Sequence, residues 1–116
     1  MPRPMRGEVW EVRFDPSVGA EIQKIRPAVM LGVDSIGLLP LRIVVPITDW
    51  KPYYVRFPWF VHLPMTQSNG LSKDSGADAF QVKSISVNRF IRRLGSLTED
   101  QMNAIAAAIA LCVGYP

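Results

Sequence analysis

One cysteine and one histidine in 116 residues leave little room for several kinds of chemistry. Cys112 alone gives no disulfide framework, which points to a cytoplasmic setting. It lies in an apolar helical stretch, where a small buried hydrophobe is the expected role. His62 alternates with Val61 and Leu63, so it is expected on a strand, at the surface or a barrel rim. With no second histidine or cysteine and no carboxylates at ligand spacing, no metal site is expected. A Ser-His-Asp or Cys-His system would have to use His62, and nothing near Ser68, Ser72 or Ser75 resembles a nucleophile elbow. Neither G-x-x-x-x-G-K nor G-x-G-x-x-G occurs, so nucleotide cofactors lack a cradle and no cofactor is expected. The longest apolar run, about 10 residues near the C-terminus, is half of what a membrane span needs. The opening MPRPMRGE has no apolar core of a secretory signal. No stretch repeats, and no five like charges stand together.

What is present is enough for one core. Apolar residues make up 48% of the chain, and a single domain over residues 1–116 is expected. Thirteen lysines and arginines against ten acids give a net charge of +3, and the pI is about 9.4. That excess permits a polyanionic partner without requiring one. Ten prolines and eight glycines punctuate short apolar segments. GEVWEVRF alternates, with Trp10, Val12 and Phe14 on one face and Val9, Glu11 and Arg13 on the other. DPSVGAEIQK carries turn residues and reads as a long connection. RPAVMLGV, LRIVVPIT and PWFVHL read as further strands. AFQVKSI and FIRRLGSL read as a fifth and sixth, separated by a turn-like SVNR. From Thr98 the pattern changes. Thr98 and Gln101 form a capping box, and Glu99 and Asp100 suit the positive end of a helix dipole. Met102, Ile105, Ala106 and Ile109 follow helical spacing, so a helix is expected over 98–113, ended by Gly114 and Pro116. The expected fold is mainly β with one C-terminal α-helix packed on a small β-barrel.

An enzyme built from this inventory must work with arginine, hydroxyls, carboxylates and backbone. Arg26 stands where a polar loop enters an apolar strand. Its guanidinium stays protonated and offers a planar fork of donors that suits phosphate. Pro27 biases Arg26 toward extended backbone, which fixes where the side chain departs. An arginine snorkelling at a strand edge is the plainer alternative. Thr48 ends the strand RIVVPIT, where a hydroxyl can donate to a phosphoryl oxygen; a β-branched residue chosen for strand propensity would look the same. Asp49, next in sequence, puts a carboxylate beside the same place. DWKPYYVRFPW, residues 49–59, interleaves five aromatics with Lys51 and Arg56. Aromatic faces stack bases while cations hold the backbone between them, and such stacking contributes roughly 1–3 kcal/mol per base. The same segment could instead close a barrel end or form a dimer interface.

In order along the chain, RGEVWEVRFDPSVGAEIQKIRPAVML, VVPIT, NGLSKDSGADAFQVKSIS and RRLGSLTEDQMNAIAAAIALCVGY resemble the motifs of the MazF/PemK toxins. These are the endoribonuclease halves of bacterial toxin–antitoxin modules. The resemblance spans nearly the whole chain. It implies an SH3-like barrel that dimerises, needs no metal and cleaves single-stranded RNA. The 2′-hydroxyl would attack the neighbouring phosphorus, giving a 2′,3′-cyclic phosphate and a 5′-hydroxyl. The family's catalytic arginine falls on Arg26, its threonine on Thr48 and the glutamate of its D-P-x-x-G-x-E turn on Glu21. The loop 15–25 would cover the RNA channel. Candidate RNA contacts are Asp15, Lys24, Trp50, Lys51, Arg56, Gln81, Lys83 and Ser84. Implied partners are a second copy of the chain and a separate antitoxin whose extended acidic segment fills the basic groove. Two other readings remain open: a CcdB-like gyrase poison that acts by binding alone, and a non-catalytic RNA-binding module.

Overall fold

In the computed structural model, which describes residues 3–34 and 39–116, the chain forms seven antiparallel strands and one C-terminal helix. The strands are β1 (Glu8–Arg13), β2 (Ile25–Met30), β3 (Leu41–Asp49), β4 (Phe60–Leu63), β5 (Ser75–Asp78), β6 (Lys83–Ser86) and β7 (Phe90–Ser96), followed by α1 (Glu99–Cys112). Their order is β4-β5-β3-β2-β1-β7, and β6 also pairs with β3. The long β3 is the shared element. Its first half, Leu41 to Val44, pairs with β6, and its last residues, Ile47 to Asp49, pair with β5. No ladder closes this path into a barrel among the described residues. The segment after β4 nevertheless reaches β7, where the Ser96 amide donates to the Ser68 carbonyl at 2.9 Å.

The period-two pattern of β1 works as its sequence suggests. Val9 joins a cluster with Val29, Val45, Ile47, Leu63 and Ala77, onto which the helix lays Met102 and Ile105. On the opposite side, Val12 and Phe14 pack with Ala28, Val44, Ile85 and Phe90, with Trp10 at the margin. The sheet therefore carries apolar residues on both faces, and only one of them is roofed by α1. The capping box is formed in full: the Gln101 amide donates to Thr98 Oγ1 at 3.1 Å and the Thr98 amide to Gln101 Oε1 at 2.9 Å. The buried face of the helix is Met102, Ile105 and Ala108. Ala106, expected inward, is exposed; the helix rolls so that the alanine two residues on meets the sheet.

One further local expectation is corrected. Residues 79–81, taken into a strand by the pattern AFQVKSI, form a 3-10 turn, and β6 begins only at Lys83. The Asp78 carboxylate accepts from the Phe80 amide at 3.2 Å and so starts that turn in place of a ladder. The strand Ser75–Asp78 has no apolar alternation and escapes pattern reading. It is nonetheless fully buried, held by pairing to β3 and β4. Gly95 is required by close approach: a Cβ there would lie 2.3 Å from the Ser68 carbonyl oxygen.

Candidate active site

The register of β2 against β3 sets Ala28 opposite Pro46. The ladder ends there, and its register extended two residues directs Arg26 and Thr48 to the same face of the sheet. Both line one cleft of about 180 Å³ at the end of β3, together with Asp49, Ser72 and Lys73. Arg26 is half-buried. Its Nε donates to the Gln23 carbonyl at a long 3.4 Å, and its terminal nitrogens have no hydrogen-bond partner among the described residues. A guanidinium with free donors, beside a hydroxyl, suits a tetrahedral anion.

Asp49 belongs to this cleft as an ionised carboxylate. The hydrogen bond from Lys73, at 2.9 Å, holds its pKa below the ordinary value of 3.8 despite some opposing desolvation, and the charges of Lys73, Arg26 and Lys51 add to the effect. A carboxyl held low is a weak base at neutral pH. The motif containing Ser72 and Lys73 is visible in the sequence, but its side chains carry no signal of their own. Only the hairpin that returns the chain to β5 brings them to the cleft.

The structure does not bring Glu21 there. Glu21 Oε1 accepts from the Val18 amide at 2.7 Å, closing the connection between β1 and β2 on itself. Glu21 lines a separate groove of about 440 Å³ with Phe80, Gln81 and Lys83. Gln81 latches that connection to the sheet: its Oε1 accepts from the Ile22 amide at 2.6 Å, while its Nε2 donates to Asp78 at 3.1 Å. Asp78 is buried, and desolvation pushes its pKa up against the bonds from Gln81 and Phe80. Lys83 shares the face of Thr48 and holds its ammonium 5.9 Å from the centre of the Phe14 ring. Lys24 is exposed, in the left-handed region at φ 67°, a strained choice for a lysine. Asp15 is exposed, and its carbonyl oxygen accepts from Arg89 at 2.7 Å. Ser84 lies on the other face, opposite Ile43, in a separate depression with Leu39 and Leu41.

The aromatic segment is folded largely onto itself. Tyr54 stacks on Phe60 at 3.9 Å and Phe57 on Trp59 at 4.9 Å, around a 3-10 turn over Pro52–Arg56. Lys51 and Arg56 are exposed. Trp50 stacks face to face with His62, with centroids 4.3 Å apart and planes 19° apart. A face that the sequence offers to a base is thus covered by an imidazole.

Comparison with known proteins follows the same lines. A family described as "PemK-like, MazF-like toxin of type II toxin-antitoxin system" matches residues 5–113. The chain is 32% identical over 112 residues to Endoribonuclease MazF9 of Mycobacterium tuberculosis (strain ATCC 25618 / H37Rv), which covers 91% of this chain and 92% of that protein. Its fold resembles a crystal structure of MazF from Deinococcus radiodurans with a TM-score of 0.81 at 22% identity, covering 98% and 99% of the two chains. A mycobacterial endoribonuclease solved in complex with its cognate antitoxin superposes with a TM-score of 0.77 at 18% identity, covering 98% of each chain.

Proposed function

Since the chain belongs to the PemK-like, MazF-like family of type II toxin–antitoxin toxins, we propose that it is an endoribonuclease that cleaves single-stranded RNA without a metal ion. The observation that carries this reading is the cleft shared by Arg26 and Thr48. A 2′-oxygen attacks the adjacent phosphorus and gives its proton to water; the bond from phosphorus to the 5′-oxygen breaks, and that oxygen takes a proton from Arg26, which water restores. The products are a 2′,3′-cyclic phosphate and a 5′-hydroxyl. Arg26 supplies two free N–H groups to the equatorial oxygens, where charge builds in the pentavalent state. Loss of one such preorganised donor costs about 10²–10³ in rate. Thr48 donates its hydroxyl to the same phosphoryl group and holds it in line with the attacking oxygen. A guanidinium stays protonated at neutral pH and is no base there; Arg26 stabilises charge and can protonate the leaving oxygen.

Lys73 offsets part of the charge that Asp49 turns toward a phosphate. Lys24, Lys51, Arg56 and Lys83 hold flanking phosphates, while the latched connection 15–25 covers the groove beside them. Glu21 enters the reaction only if that connection moves. We read residues 1–116 as one domain with an SH3-like barrel, which the contact between Ser68 and β7 supports. The mycobacterial structure contains its antitoxin; here an acidic antitoxin segment would compete with RNA for the same cations. Val33, Leu39, Leu41 and Ile43 are large, exposed apolar residues, a patch that suits a second copy of the chain. No helix among the described residues is long and apolar enough to cross a membrane, and we place the toxin in the cytoplasm with its RNA substrate. The test is incubation of the purified chain with a long single-stranded RNA in EDTA. Discrete cuts with cyclic-phosphate ends, abolished by Arg26→Ala, support the reading. Intact RNA, or an absolute need for magnesium, overturns it.

A further inference from the structure

The geometry points to a nucleobase subsite on His62, beside the proposed phosphate site. This rests on the ribonuclease reading and names how the same site would choose among sequences. Thr48 pairs with Gly76, and Gly76 pairs with His62. Arg26 lines the same cleft as Thr48, so four positions on four adjacent strands fall in one row: Arg26, Thr48, Gly76, His62. Directly paired residues share a face, so the row is a track running across the strands. Strands lie about 4.8 Å apart, which puts His62 about 10 Å from Thr48 along the track.

The middle of the track is built for a ring. A Cβ on Gly76 would come within 2.9 Å of Trp50 Cε3, so only glycine lets the indole settle there. Trp50 then backs the imidazole of His62 in the 4.3 Å stack. Asp74 Oδ1 lies 2.9 Å from His62 Nε2 and fixes the ring about its remaining rotation. The His62 side chain is still 42% exposed, and no second ring covers its other face among the described residues. A flat, oriented, half-open ring at the end of a row that starts with a free guanidinium is a stacking surface for an unpaired base. Every nucleobase has a face to offer it. The rest of the aromatic cluster is spent on mutual packing; His62, not Trp50, presents the open face. His62 is accordingly a specificity residue, and Trp50, Gly76 and Asp74 position it.

The experiment compares wild type, His62→Ala, His62→Phe and Arg26→Ala on one long single-stranded RNA in EDTA. Cut ends are sequenced, and affinity for a short mixed-sequence single-stranded RNA is measured by anisotropy. Stacking energies of the usual size predict that His62→Ala lowers kcat/KM at the favoured motif about 5- to 150-fold and flattens base preference at one position flanking the cut. His62→Phe, which keeps the ring, restores most of the rate. Gly76→Ala, which evicts Trp50, reproduces the loss of preference. An unchanged motif and kcat/KM in His62→Ala overturns the subsite while leaving the ribonuclease standing. If wild type does not cut, His62-dependent RNA affinity supports the subsite though the ribonuclease reading falls. Neither cutting nor His62-dependent affinity overturns both.

Discussion

Replacing Asp49 with asparagine separates two roles for the carboxylate in the cleft. The side chain is 45% exposed and ion-paired to Lys73 at 2.9 Å. For a substrate phosphate about 5 Å away, Coulomb's law gives about 0.8 kcal/mol of repulsion at a dielectric of 80 and about 3 kcal/mol at 20. A carboxylate this open to water belongs near the smaller figure. Asp49→Asn should then lower KM about fourfold at low salt and leave kcat within twofold. The gain should fade toward 1 M salt, where the Debye length is about 3 Å. Because the pKa is held below 3.8, the carboxylate is ionised throughout the working range. The pH–rate profiles of variant and wild type should therefore superimpose above about pH 5. The sign for stability is the usual one for a depressed acid. The contribution of the pair is present above the unfolded value and is lost as pH falls through the folded value. The variant should lose less Tm on acidification below pH 4. Michaelis kinetics on a fluorogenic RNA, read across pH and salt, decide the matter. A kcat drop of more than tenfold together with a vanished acid limb would refute this account and make Asp49 the base that takes the 2′-proton.

Three further outcomes follow from particular contacts. Glu21→Gln keeps an oxygen for the Val18 amide, so kcat and its pH profile should stay as in wild type; loss of an acid limb would bring Glu21 into the reaction. Asp78 is buried with a raised pKa, so its folded form binds a proton that the unfolded form has released. Stability therefore falls as pH rises through and above 3.8, and Asp78→Asn should flatten that slope in Tm measured across pH 3.5–6. Gly95→Ala would drive a Cβ to 2.3 Å from the Ser68 carbonyl, so thermal unfolding should show a loss of more than about 2 kcal/mol, and an unchanged Tm would contradict the packing described.

Much of this was legible along the chain because the cues are local. Alternation placed Trp10, Val12 and Phe14 on one face, and Thr98 with Gln101 marked the helix start. Arg26 and Thr48 stood out singly, since an arginine fixed before proline and a hydroxyl at a strand end are each readable in place. That they face one cleft depends on register between β2 and β3, which no single segment encodes. The strand Ser75–Asp78 has residues of low strand propensity and forms because two neighbours pair with it. Lys73 reaches Asp49 only through that hairpin. His62 reads as a lone rim histidine until pairing across Gly76 aligns it with Thr48. Glu21 kept its loop but not the expected neighbours, because a short bond to Val18 is available within the turn.

The central claim is that Arg26 and Thr48 act on one phosphate. A double-mutant cycle measured by single-turnover cleavage in EDTA tests it most directly, with Arg26→Ala, Thr48→Val and the pair. Groups acting as a unit are strongly non-additive, so the double variant should cut no more than about tenfold more slowly than Arg26→Ala alone. Losses that simply multiply, or a Thr48→Val enzyme as fast as wild type, would contradict it.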